Sequence, residues 1–166
     1  MTRTRQRRGQ PAAAASIDRR ATLLALAAGL LPSPRAAAAT LPAPGSLAGA
    51  LAAALGRGQP LVVLASLQGC PFCQLVRDNY LAPLRRDSGL PVVQLDLGSR
   101  AALVDFQGGA GTHDELLRRW RVDVAPTVLF FGRDGREAAP RLVGMAPDFY
   151  SAYLEQRLAA ARRGLG

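Results

Sequence analysis

The feature that most restricts this chain is a pair of cysteines. Cys70 and Cys73, in the run Gly69-Cys70-Pro71-Phe72-Cys73, are the only two among 166 residues. The stretch ahead of them, Leu61 to Ser66, is apolar on both faces, as a strand is when it lies central in a sheet covered by helices on each side. The stretch behind them, Gln74 to Leu84, carries Leu75, Val76, Tyr80, Leu81 and Leu84 at near-helical spacing. A strand-to-helix junction with both flanks built into a core demands an α/β domain. A dithiol placed there points first to redox chemistry.

The first forty residues read as an address and not as part of that domain. Arg3, Arg5, Arg7, Arg8, Arg19 and Arg20 precede an apolar run of 11 residues, Ala21 to Leu31. That run is too short to cross a hydrocarbon layer of ~30 Å as a helix, and it fits the core of a signal peptide. Pro32-Ser33-Pro34 ends it, and Ala37-Ala38-Ala39 offers small residues for cleavage before Thr40. The stretch Ser16 to Leu23, with its Arg19-Arg20 pair, resembles a twin-arginine export signal, although Thr22 stands where an aromatic residue is usual. The expected division is therefore 1–39 signal, 40–46 linker and 47–166 domain, in an exported, periplasmic protein that meets the membrane only during export. The formal charge of +9 follows the same division: residues 1–39 hold seven Arg against one Asp. The excess basicity is thus mostly in the address, and no nucleic-acid partner is expected. The rest of the chain has no apolar run long enough to span a membrane.

Along the domain, Leu47, Ala50, Leu51, Ala54 and Leu55 fall at helical spacing before Gly56 and Gly58, which predicts a first helix over Leu47 to Leu55. Pro83 is expected to kink or end the helix after the cysteines. Pro91 to Leu97 reads as a second strand on the strength of Val92, Val93, Leu95 and Leu97. Gly98 to Gly111 reads as irregular, with a helical turn over Ala101 to Phe106 and loop from Gly108 to Gly111. Thr112 and Glu115 fit a capping box for a helix from His113 to about Trp120. Thr127 to Phe131 is a third strand, turned at Asp134-Gly135 into a fourth, antiparallel strand near Arg141 to Gly144. Pro147 opens a last helix, Asp148 to Arg162, with Phe149, Tyr153, Leu154 and Leu158 on one face. Asp105, Asp114 and Asp123 read as surface or capping acids, and His113 as a solvated residue of a first helical turn. Trp120 reads as a core residue, and Phe72 as an exposed one able to offer apolar contact to partners.

The order of elements, Cys70-Pro71-Phe72-Cys73 after a buried strand, and Val124-Ala125-Pro126-Thr127 before the hairpin together resemble the thioredoxin superfamily. The likeness covers about residues 47–163. Within the superfamily, the region of Tyr80, the stretch from Trp120 to Gly135 and Arg141-Leu142-Val143-Gly144 look most like exported bacterial thioredoxin-related proteins, including those of the SoxW type. The resemblance implies a thioredoxin fold with a central mixed sheet of about four strands. It implies thiol–disulfide oxidoreductase activity, and a cis proline at Pro126 beside the cysteines that sets Ala125 to pair with an extended substrate. Three features depart from thioredoxins proper, one being Pro71-Phe72 between the cysteines in place of Gly-Pro. Gly69 replaces a Trp, and Leu64 stands where a buried acid assists proton transfer, so proton handling must run through water or a residue elsewhere.

The chemistry of the pair supports the same reading. Disulfide exchange needs an attacking thiolate and a second thiol that resolves the mixed disulfide. Cys70 at the start of a helix gains thiolate character from the free N–H groups and the helix dipole. Pro71 suits a first helical turn, and Cys73 is the resolving thiol one turn along. The catalytic residues expected are thus Cys70 and Cys73; the resemblance implies Pro126 and Ala125 as substrate contacts, and Phe72 between the cysteines is expected to join them. No cofactor is expected beyond the redox-active Cys70–Cys73 disulfide itself. The expected partners are protein thiols and disulfides and one redox partner, and the expected state is a monomer. A zinc site would need about four ligands, and His113 is the only His, so no metal is expected. A glutaredoxin would carry a Gly-Gly-x-Asp-like run after the cis proline, whereas Gly108-Gly109 precedes Pro126. Two other readings stay open: a dedicated reductant of one partner, in cytochrome maturation or sulfur oxidation, and a redox-inert binding module with a fixed disulfide.

Overall fold

The computed structural model describes residues 40–165, and the expected export segment lies outside them. The first helix, α1 (Leu47–Leu55), begins where Ser46 accepts the Gly49 N–H through its hydroxyl, and it buries Leu47, Leu51 and Ala54. The strand β1 (Leu61–Ser66) is buried along its whole length. It pairs in parallel with β2 (Val92–Asp96) and antiparallel with β5 (Thr127–Phe131), which pairs antiparallel with β6 (Glu137–Val143). The sheet order is therefore β2-β1-β5-β6, the mixed four-stranded sheet the resemblance implies.

Strand alternation divides the core into two layers, because successive side chains point to opposite faces. Val62 and Leu64 of β1, Val92, Val128 and Phe130 join the helices after the cysteines and the last helix, α5 (Tyr150–Arg163). Leu61, Val63 and Ala65, with Val93, Leu95, Leu129 and Phe131, pack against α1 and α4 (His113–Arg119). Helices thus cover both faces, which is why β1 can be apolar throughout. The segment 40–46, expected as a linker, lies along the domain. Leu41 is buried in the first layer, and the Pro42 carbonyl accepts the Gln94 N–H at 2.9 Å, which covers one position on the outer edge of β2.

The helix after the cysteines does not stop at Pro83. It runs as α2 (Pro71–Val76), one π turn (Arg77–Leu81) and α3 (Ala82–Ser88). In the wider turn the Ala82 N–H reaches back to the Arg77 carbonyl, just before the proline that has no N–H to offer. Gly89, at φ 66°, ends it by donating its N–H to the Leu84 carbonyl.

Several further expectations need correction. Ala101 to Phe106 is not a helical turn, and Gly108 to Gly111 is not all loop: β3 (Ala102–Val104) and β4 (Ala110–Thr112) form a small antiparallel hairpin. Asp105, expected as a surface or capping acid, is buried and caps the turn of that hairpin. Its carboxylate accepts the N–H groups of Gln107 and Gly109 and pairs with Arg119 at 2.8 Å. The Gly109 N–H foremost, with Gln107 and Arg119, holds that carboxyl below the usual carboxylate range. His113 is not solvated; it is 2% exposed, because the start of α4 packs on β2, where His113 Nδ1 accepts the Asp96 backbone N–H at 3.2 Å. Burial pushes its pKa down. Finally, Phe149 and Tyr153 are exposed, and the buried stripe of α5 is Tyr150, Leu154, Leu158 and Ala161. The capping box at Thr112 and Glu115 is present in both directions. Trp120 stacks on Phe106 at a ring separation of 5.7 Å and tilts against Phe131.

Candidate active site

The site forms where β1 ends. Leu67-Gln68-Gly69 turns the chain out of the sheet, with the Cys70 N–H bonded to the Leu67 carbonyl at 3.2 Å. Gly69 takes φ 75°, a conformation that side-chain-bearing residues enter at a cost of about 1–2 kcal/mol. That is the physical reason for a glycine here. Cys70 then stands at the N-cap of α2 in extended geometry, and Pro71 fills the first turn. The Sγ of Cys70 accepts the backbone N–H of Cys73 at 3.1 Å. This is the position where a helix start offers free donors to a negative group.

Cys70 and Cys73 form a disulfide, with their Cα atoms 5.3 Å apart. The two sulfurs are not equivalent. Cys70 is partly exposed, whereas Cys73, one turn along, is 1% exposed. An incoming thiolate or disulfide can therefore reach Cys70 but not Cys73. Phe72 between them is 57% exposed, as the sequence suggests.

The Ala125–Pro126 peptide bond is cis, as the resemblance implies. The β1–β5 register pairs Ala65 with Thr127, so Pro126 lies at the end of the sheet from which the cysteine loop departs. The turn is held by the Thr127 hydroxyl, which donates to the Val124 carbonyl at 2.7 Å. The Gly144 N–H donates to the Pro126 carbonyl at 2.8 Å. Pro126 is buried, and Ala125 is partly exposed and makes no backbone hydrogen bond among the described residues. Leu67, Val124 and Val143 leave apolar surface exposed at the same end of the sheet.

A second feature was not read from the sequence. A cleft of about 620 Å³ opens on the β2 side of the disulfide, lined by Cys70 and Cys73 and by the polar side chains of Arg77, Gln94 and Asp96, among others. Arg77 pairs with Asp78 at 2.9 Å. The sequence did hold a signal. Gln94 and Asp96 are two apart in an otherwise apolar strand, so they share one face of it.

The family model for a thioredoxin-like domain matches residues 47–158. No curated protein sequence matches the chain. Similar solved structures include DsbH oxidoreductase, at 21% identity over 80% of this chain and 92% of that one, with a TM-score of 0.53. A thioredoxin-fold protein from Helicobacter pylori is 14% identical over 64% of this chain and 73% of its own, with a TM-score of 0.51. A thioredoxin from Thermus thermophilus is 24% identical over 76% and 92%, with a TM-score of 0.50. At such identities the likeness is one of fold.

Proposed function

The chain belongs to the thioredoxin-like domain family, and on that premise we propose that it is an exported thiol–disulfide oxidoreductase acting on protein substrates. The observation that carries the reading is the inequality of the two sulfurs. One is reachable and sits at a helix start with a backbone donor on it, and the other is buried one turn away. In the reducing direction, the Cys70 thiolate attacks one sulfur of a partner disulfide and the other partner sulfur leaves as a thiolate. Cys73 then loses its proton and attacks Cys70 Sγ. The bond between Cys70 and the partner breaks, so the partner leaves as a dithiol and Cys70–Cys73 is the product disulfide. In the oxidising direction, a partner thiolate attacks Cys70 Sγ and the same steps run backwards. Phe72, with the apolar surface round Ala125 and Pro126, supplies the partner's footing, and the Ala125 amide, without a backbone partner among the described residues, suits an extended segment.

Export is part of the proposal. It rests on the arginines, the short apolar run and the small residues of 1–39. A close-spaced pair closes so short a loop that it constrains an unfolded chain little, which favours an exchanging pair over a staple even in an oxidising compartment. The test is an insulin-reduction and dithiol-oxidation assay with two variants. Cys70→Ser should lose all activity, and Cys73→Ala should accumulate mixed disulfides on Cys70. Full activity in Cys70→Ser would sink the assignment. The species trapped by Cys73→Ala also show whether the chain serves one partner, as a SoxW-type dedicated reductant would, or many.

A further inference from the structure

The resolving step needs a proton acceptor, because Cys73 must become a thiolate before it can attack Cys70. None lies on the strand beneath it: Leu61 to Ala65 are all apolar, and Ser66 closes the strand. The neighbouring strand carries one. Register pairs Leu64 with Gln94 and Ser66 with Asp96. Alternation puts those two side chains on the face that bears Leu64 and Val92, the same face that Val76 of α2 covers. Both line the cleft that Cys73 also lines. Gln94 Nε2 donates to Asp96 Oδ1 at 2.7 Å, and Gln94 Oε1 is buried without a partner among the described residues. A buried acceptor without a donor is costly, and a thiol S–H or a water in the cleft is what would satisfy it.

We propose that the Asp96 carboxylate accepts the Cys73 proton and that Gln94 is a positioning residue that aims it; this rests on the oxidoreductase reading above. In the step, the Cys73 S–H gives its proton across the cleft to Asp96. The Cys73 thiolate forms a bond to Cys70 Sγ, and the bond from Cys70 to the partner sulfur breaks. The electron pair leaves with that sulfur, and Asp96 passes the proton to it or to solvent. Among the described residues, the charged and titratable groups near Asp96 include Arg77, which lines the same cleft and is paired with Asp78, and His113 and Asp114 at the start of α4. His113 holds the Asp96 backbone N–H, and Asp114 accepts the Gly98 N–H at 2.8 Å. Both are engaged with the backbone of the strand end, which leaves the Asp96 carboxylate as the group that shares the cleft with Cys73.

The experiment mixes the reduced full chain with a nitrobenzoate disulfide that releases a coloured thiolate. The first phase reports attack by Cys70 and the second reports displacement by Cys73, so the two steps are read in one trace. Asp96→Asn should slow the second phase on the order of 100-fold near neutral pH and leave the first within about twofold. Its second phase should then climb roughly tenfold per pH unit, as solvent hydroxide replaces the carboxylate. Asp96→Glu should recover part of the rate, and Gln94→Leu should slow the second phase less than Asp96→Asn does. An unchanged second phase in Asp96→Asn, or equal slowing of both phases, would overturn the proposal. Should Asp96→Asn not fold, an unchanged second phase in Gln94→Leu would do the same. Absence of a first phase in the wild-type chain would instead overturn the oxidoreductase reading itself.

Discussion

Reduction of the disulfide is the perturbation that separates an exchanging pair from a structural staple, and its effect on stability can be worked from the chain. Cys70 and Cys73 are three apart in sequence, so the bond closes a loop of about four residues. The chain-entropy relation gives such a loop about 2 kcal/mol at 25 °C, against ~3 kcal/mol for a 15-residue loop. The reduced form gains in return. A Cys70 thiolate keeps the Cys73 N–H as a hydrogen bond to a charged group, worth ~1.5–3 kcal/mol, and lies at a helix start worth ~0.3–1 kcal/mol. The two sides nearly cancel. Oxidised and reduced forms should therefore differ by no more than about 2 kcal/mol, out of the ~5–15 kcal/mol expected of a domain this size. Urea unfolding followed by the fluorescence of Trp120, the lone Trp, should show midpoints within about 1–2 M of each other. By the thermodynamic cycle, the folded pair should then have a potential within about 45 mV of the same pair in the unfolded chain. A reduced form weaker by more than about 4 kcal/mol, or a potential below about −300 mV, would rule out that near-cancellation and favour an inert bridge.

Other outcomes follow from particular residues. Gly69→Ala and Gly135→Ala both force a side chain to positive φ, at about 1–2 kcal/mol each. At Gly69 the added Cβ meets nothing, whereas at Gly135 it falls 2.6 Å from Phe106 Cβ and Cγ, which adds ~1–3 kcal/mol of overpacking. Denaturant midpoints should rank them in that order, and equal losses would argue against the steric share. His113, held neutral by burial, has a folded pKa below its ordinary value of 6.5, so the unfolded chain binds the extra proton. Stability should be complete above about pH 6.5 and fall as pH drops from there toward the folded value. His113→Asn, which keeps an acceptor for the Asp96 N–H, should flatten that slope in melts taken from pH 7 to pH 5; an unaltered slope would mean another group is titrating. Replacing both Arg19 and Arg20 by Lys should strand the chain in the cytoplasm if the export route is the twin-arginine one, and cell fractionation reads this directly.

The local elements were legible because their causes are local. Helical spacing and the glycines that follow place α1, apolarity on both faces places β1, and Thr112 with Glu115 marks the start of α4; each is decided within a few residues of chain. The same holds for the cysteine pair, whose helix-start position follows from the strand before it and from Pro71 after it. The sequence alone thus determined the fold class, both sulfur positions and, through resemblance to a family, the cis proline. What periodicity reports is which residues share a face, never which face meets another element. That is why His113 and Asp105, polar residues with ordinary surface roles by local reading, could be judged buried only once α4 lay on β2 and the β3–β4 hairpin had closed. It is also why Phe149 and Tyr153 fell outside the buried stripe of α5. The Gln94–Asp96 pair shows the same limit most clearly: two polar residues in an apolar strand carry no chemistry until parallel pairing with β1 sets them on the face of Leu64, in the cleft that Cys73 lines. The chain itself encodes where a thiol sits along it, but a proton acceptor drawn from a separate strand exists only in three dimensions.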